Sequence, residues 1–323
     1  FRRVLFRSKR KFFGFLAVLL VLSLCFALFV GCGENTDGNN GGSTGENGTE
    51  AANETKNYPT LSFIPANDGT TYTVKASSVS DTTGEIVVPE TVNGKPVTSI
   101  ARNGFANCTI TKITLPSGLE KINQGAFKSC VALTEIVIPD KVTTIPSNTF
   151  SNCAELTSVT LGKAVTSVGD SAFYECAKLA SVKFDAALTL IDDNAFKGCA
   201  ALEALKFPTA LASIGAEAFS GCTSLTVVKI PASVTSIGDF CFGFNNGSQY
   251  PGKLAAVYFY GNVPSGINQS FGYTWDADEF VAYVPAEYYG AYENADAADW
   301  KRCIVTPKKL KSFDPAEKPY DKD

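Results

Sequence analysis

Phenylalanine returns along this chain at a fixed interval. Phe127, Phe150, Phe173, Phe196, Phe219 and Phe242 stand 23 residues apart, and Phe105 lies 22 residues before the first of them. The units align as INQGAFKSCVALTEIVIPDKVTT, IPSNTFSNCAELTSVTLGKAVTS, VGDSAFYECAKLASVKFDAALTL, IDDNAFKGCAALEALKFPTALAS and IGAEAFSGCTSLTVVKIPASVTS. Self-similarity at this period marks an array of one supersecondary unit. A unit so short cannot cover its own apolar side chains, whereas stacked units cover one another.

Each unit reads as two legs. In Ile-x-x-x-Ala-Phe-x-x-Cys-x-x-Leu the apolar offsets suit a short helix: Ala126, Cys130 and Leu133 follow i, i+4, i+7. A polar residue ahead of it, such as Asp170, would cap free amides. The period then changes, and the β-branched run Ile136-Val137-Ile138 predicts a strand. Pro139, Pro208 and Pro231 follow such strands directly, where a ladder donor can be spared. Val142, Val165, Leu188, Leu211 and Val234 form a further inward column. Stacking predicts one buried column of phenylalanines, Phe127, Phe150, Phe173, Phe196 and Phe219 among them.

The strand pattern L-x-x-I-x-I, as in Leu133-x-x-Ile136-x-Ile138, resembles the leucine-rich repeat. With A-F-x-x-C before it and proline after it, the 23-residue unit is similar to the BspA-like leucine-rich repeats of bacterial surface proteins, over residues 100–264. The resemblance implies an α/β solenoid, a right-handed coil of about seven units with a β-rich N-terminal cap and a small C-terminal cap. One departure stands out. No asparagine follows the strand to form the usual ladder, so the turns must satisfy their hydrogen bonds some other way.

Around residues 100–264 we expect a β cap over 58–99, where Asp68-Gly69 and Asn93-Gly94 signal hairpin turns. A C-terminal cap is expected over 265–306, with a strand ending near Pro285, a short helix after it and Trp300 docking. Residues 307–323 read as a charged, frayed tail.

The first 57 residues read as an address. Residues 1–8, FRRVLFRS, match a common sequencing adapter when read back as codons, and the chain contains no Met. We therefore set them apart as a translated artefact. Over 9–31, Lys9-Arg10-Lys11 precede the uncharged run 12–30 and then Gly31-Cys32. That order resembles a bacterial lipoprotein signal, which implies cleavage before Cys32 and a diacylglycerol on its thiol. An uncleaved membrane helix is the competing reading, since 19 apolar residues nearly span a bilayer. Either places the remainder outside the cytoplasm on a membrane tether. Residues 32–57 lack large apolar side chains after the cysteine and read as a disordered spacer. Without residues 1–31, which hold six Lys or Arg and no acid, the net charge goes from −4 to −10. An acidic exterior argues against nucleic acid as partner.

The absence of histidine excludes much chemistry: the usual general base, the Ser–His and Cys–His pairs and the commonest zinc ligand. Cys108, Cys130, Cys153, Cys176, Cys199 and Cys222 occupy one position per coil, and no C-x-x-C pair occurs. We read the column as packing, with disulfides between rungs left open, and take Cys241 and Cys303 as the better candidates for a pair. Asp170, Asp192, Asp193, Glu217 and Asp239 recur at corners as caps. Asp276, Asp278 and Glu279 read as a solvated loop. The outward strand column runs Thr114, Val137, Thr160, Lys183, Lys206, Lys229, Tyr258. It is either a solvated face whose lysines discourage aggregation or a basic, aromatic stripe on the concave side for an acidic partner.

The chain thus reads as a non-catalytic, monomeric protein without cofactor or metal. The resemblance implies a lipid-anchored adhesin for extracellular or host-surface proteins. A cell-envelope scaffold, or a carbohydrate binder using Tyr258, Tyr260, Tyr273 and Trp275, are the alternatives. Sequencing the native locus tests the artefact reading of residues 1–8: the genomic codons there should differ, and an in-frame start ahead of an identical run would refute it.

Overall fold

A computed structural model describes residues 58–185, 187–243, 253–267, 281–294 and 310–316. The expectations for residues 1–57, including lipidation of Cys32, lie outside the described residues, as do those for Tyr273, Trp275, Asp276, Asp278, Glu279, Trp300 and Cys303.

The repeats form a solenoid held by three ladders. The front one is a parallel sheet with one short strand per coil. Thr83–Val87, Thr109–Thr114, Glu135–Val137, Ser158–Thr160 and Ser181–Lys183 pair in sequence order. Ala204–Leu205, Val227–Ile230, Ala256–Phe259, Val281–Pro285 and Leu310–Phe313 make a second run of five. At the back, two-residue strands pair in parallel: Thr144–Ile145, Ser167–Val168, Leu190–Ile191, Ser213–Ile214 and Ser236–Ile237. Registers join residues 23 apart in chain, such as Val159 with Ile136 and with Val182. Strands so short would not persist alone; repetition supplies the pairing.

The third ladder replaces the expected helix. The leg through Phe127 is a run of tight turns, so the solenoid is mostly β rather than α/β. The reason is conformational. Two residues per coil, two before and two after the phenylalanine, are left-handed: Asn148 and Asn152, Ser171 and Glu175, Asn194 and Gly198. Each non-glycine residue there costs about 1–2 kcal/mol, which no helix would accept twice in five residues. The amides instead alternate. Ala126, Lys128 and Cys130 donate three residues back within the coil, to Asn123, Gly125 and Phe127. Gly125, Phe127 and Ser129 donate to the next coil, to Ser147, Thr149 and Ser151. Every backbone donor of the leg is used, half along the chain and half along the stack.

Inside the coils the apolar pattern is buried, except at Val182 and Phe184, which are half-buried. The rings of Phe105, Phe127, Phe150, Phe173, Phe196, Phe219 and Phe242 stack with centroids 5.0–5.5 Å apart and planes within 10°. This is the predicted column. Of the corner acids, Asp193 caps across coils, its Oδ1 accepting the Ala216 N–H at 2.6 Å; Asp192 accepts the Asp193 N–H at 2.9 Å within its own coil, and Glu217 pairs with Lys197 instead. Asp140, not among those expected, also accepts an amide across coils, from Lys163 at 3.1 Å.

At the N-terminal end Leu61–Pro65 and Tyr72–Ala76 pair antiparallel around Asp68-Gly69, and Asn93-Gly94, both left-handed, joins Thr91–Val92 to Lys95–Ile100. At the other end the short helix after Pro285 is present, as Ala286–Tyr288 and Tyr289–Glu293. Tyr292 on it is fully buried against Phe259, and its hydroxyl donates to the carbonyls of Gly261 and Asn262. The expected frayed tail is corrected at Leu310–Phe313, which adds a strand to the sheet. Leu310 is buried and Phe313 packs edge-on against Tyr258 and Tyr260, so the charges flanking it do not prevent docking.

Truncating the middle of the stack, Phe173→Ala, removes a ring packed on both faces and should cost about 3–5 kcal/mol. A shift of the urea or guanidinium midpoint measures it, and an unmoved midpoint would contradict the column.

Candidate functional site

Two sets of residues stand out: the cysteine column inside and the strand row outside. Cys108, Cys130, Cys153, Cys176, Cys199, Cys222 and Cys241 are all buried free thiols. They do more than pack. The Sγ of Cys130 donates to the Phe105 carbonyl at 3.0 Å, Cys153 to Phe127 at 3.2 Å, Cys176 to Phe150 at 3.1 Å, Cys199 to Phe173 at 3.2 Å and Cys222 to Phe196 at 3.3 Å. A thiol from each coil thus reaches the phenylalanine carbonyl of the coil before it. These bonds lie in the leg ahead of the strand; after the strand, where an asparagine ladder would stand, the turns close on backbone bonds such as Val142 N–H to the Pro139 carbonyl and Val165 N–H to the Gly162 carbonyl. Cys241, expected off the column, occupies the place taken by Ala126 and Ala218 one residue before each phenylalanine, and it is a free thiol.

Burial pushes these thiols up: Cys153 to about 12, and Cys130, Cys176, Cys199, Cys222 and Cys241 also well above the ordinary range. Thiolates are the reactive form, so the column is chemically quiet at neutral pH. Among the described residues no group of Cys, Asp and Glu is placed to hold a metal ion.

The outward row runs along both front sheets. Val87 stands beside Thr114, Val137 beside Thr160, Thr160 beside Lys183, Lys229 beside Tyr258, Tyr258 beside Tyr283, and Tyr283 beside Lys311. Leu205 pairs with Val228, which sets Lys206 next to Lys229. Lys183, Lys206, Lys229 and Tyr258 therefore share one face, as their alternation with buried neighbours predicted. Tyr283 and Phe313 were missed. Tyr283 stacks on Tyr258 at 4.4 Å, and their only sequence signal is alternation in two short strands beyond the regular repeat.

The neighbouring outward row changes character along the stack. It begins with Glu85, Lys112 and Glu135, where Lys112 and Glu135 form an ion pair at 3.2 Å. It continues with Ser158, Ser181, Ala204 and Val227. Small side chains beside long lysines leave a groove of about 540 Å³ lined by Ser158, Thr160, Ser181, Lys183, Lys206 and Pro208. A second groove of about 750 Å³, lined by Glu90, Lys112, Glu135, Val137 and Lys141, lies over the earlier coils.

The family model described as BspA type leucine rich repeat region matches in six copies, over residues 85–203 and 189–250. The chain belongs to that family. Among solved structures it is similar to a leucine-rich repeat protein from Eubacterium ventriosum, with 27% identity over 56% of this chain and 49% of that one and a TM-score of 0.46. It is also similar to a leucine rich cell surface protein from Faecalibacterium prausnitzii, with 20% identity over 77% of this chain and 96% of that one and a TM-score of 0.36. The pneumococcal vaccine antigen PcpA matches with 15% identity over 78% and 98%, at a TM-score of 0.34. The chain spans about half the length of the Eubacterium protein. No curated protein matches it.

The raised thiols make stability depend on pH with a definite sign. Below their ordinary value near 9 they are protonated in both states and contribute no slope. As pH rises past it, the unfolded chain loses protons that the folded chain keeps, so stability falls from about pH 9 towards the raised folded values. The denaturant midpoint should drop over that window, and a Cys153→Ala, Cys176→Ala variant should show a shallower drop.

Proposed function

We propose that this is a non-catalytic binding protein, held outside the cytoplasm by a lipid anchor at Cys32, whose front sheet face engages an acidic protein partner on a host or neighbouring cell. Membership of a repeat family found in bacterial surface proteins supports the extracytoplasmic setting and a role in protein binding. One observation carries the choice of face. Lys112, Lys163, Lys178 and Lys197 each pair with a carboxylate of a neighbouring coil, namely Glu135, Asp140, Glu155 and Glu217. Lys183 and Lys206, in the middle of the outward row, are exposed and form no ion pair among the described residues. Like charges set side by side on adjacent strands repel. A partner's carboxylates would relieve that repulsion and steer the encounter.

The cluster of Tyr258, Tyr283 and Phe313 supports a second reading, a carbohydrate-binding surface at the C-terminal end of the same face. The triple change Lys183→Glu, Lys206→Glu, Lys229→Glu separates the two. Capture of host-surface proteins by the immobilised chain should be lost while thermal unfolding is unchanged; undiminished capture would sink the lysine face, and retention of polysaccharide instead would favour the second reading.

A further inference from the structure

The front sheet is interrupted once among the described strands. Ser181–Lys183 ends one run of five strands and Ala204–Leu205 begins the next, with no ladder pairing between them. The back strands pass the same point without a break, since Leu190–Ile191 pairs with Ser213–Ile214. The phenylalanine column also continues, with Phe173 and Phe196 5.0 Å apart. The opening is therefore local to the front.

Two side chains mark it. The second inward position of the strand carries Ile138, Leu161, Ile230 and Phe259 in other coils, and only Phe184 and Phe207 are phenylalanines in adjacent coils there. Their rings lie 6.0 Å apart and tilted by 32°, each edge-on to the main column at Phe196 and Phe219. Paired strands lie about 4.8 Å apart. The two adjacent rings at 6.0 Å exceed that spacing by more than the rings of the main column do, and the ladder is absent where they meet.

The opening uncovers one side of the seam only, since Leu205 and Phe207 stay buried, at 8% and 1% exposed. Ile136 and Val159 are each 2% exposed and Ile138 1%, whereas Val182 and Phe184, their equivalents in the open coil, are only partly buried. The inter-coil bonds stop as well. Ile138 N–H donates to the Thr160 carbonyl and Leu161 N–H to the Lys183 carbonyl, but among the described residues the next bond of the series, Phe184 N–H to the Lys206 carbonyl, is not formed. Lys183 and Lys206 stand on either side, and the 540 Å³ groove lies directly over the gap. Asp185, the nearest acid in sequence, interacts with Lys163.

We propose that this seam between Ser181–Lys183 and Ala204–Leu205 is the primary binding slot of the face, and that it takes an extended acidic segment of the partner protein that places an apolar side chain against Val182 and Phe184 and carboxylates against Lys183 and Lys206. The inference rests on the front-face reading above and narrows it. Charge selects an acidic segment over a basic one, and the partly buried Val182 and Phe184 lining the groove select one with an apolar side chain.

The test uses the full chain with a dye-labelled peptide alternating glutamate and valine, and the same peptide with lysine for glutamate. Hydrogen exchange at residues 181–184 and 204–206 should be faster than at Ser158–Thr160 and Val227–Ile230, and should slow when the acidic peptide is added. Anisotropy should report saturable binding of the acidic peptide alone, weakened at least about tenfold by Lys183→Glu with Lys206→Glu. Replacing the ring pair, Phe184→Leu with Phe207→Ile, should restore slow exchange and remove peptide binding while all three lysines remain. Seam amides as protected as their neighbours in the free protein would overturn the slot, as would equal binding of the basic peptide. A ring-pair variant that captures the cell-surface partner undiminished would overturn the slot and leave the front-face reading standing. The lysine variant does not touch the core, so its result holds even if the ring-pair variant fails to fold.

Discussion

Everything in this protein depends on one coil being covered by the next. A 23-residue unit buries Phe, Cys, Leu, Ile and Val on both of its sides only because identical positions lie above and below it. The phenylalanine stack shows the constraint most directly. Rings within 10° of parallel at 5.0–5.5 Å leave no room for a larger side chain, and a smaller one would leave a cavity. The front strands, the back strands and the turn ladder are then three ways of satisfying the backbone that this stacking brings together.

The turn ladder explains why the sequence invites a helix and the chain does not form one. Ala126, Cys130 and Leu133 have helical spacing because successive three-residue turns also bring every third or fourth side chain inward. A helix would use all its amides along its own axis. Here half of them are needed along the stack, and the left-handed residues on each side of the phenylalanine turn them there. The cysteine completes the arrangement. A small, weakly polar side chain is one that can be fully buried and still donate to a carbonyl one coil away. Burial was readable from the column of cysteines; the acceptor, 26 residues back along the chain for Cys153, Cys176, Cys199 and Cys222, was not.

The outer face shows the same division. Alternation in each strand by itself places Lys183, Lys206, Lys229 and Tyr258 on one side of the sheet. Tyr283 and Phe313 escaped because they come from strands that join the sheet after the repeat pattern has lapsed. The pairing of Lys112 with Glu135, and its absence at Lys183 and Lys206, follows from which residues the stack makes neighbours. Charge along the chain gives no hint of it.

The period of 23 residues determined by itself that the chain is a solenoid, which residues point inward and which share its outer row, because repetition at a fixed interval forces like positions into contact. The tertiary structure alone decided how the turns are bonded, that the thiols are donors, that Leu310–Phe313 docks, and where the front sheet opens. Those outcomes depend on distances between coils. The difference between a ring spacing of 6.0 Å at Phe184 and Phe207 and one of 5.0 Å at Phe173 and Phe196 is set by packing in three dimensions.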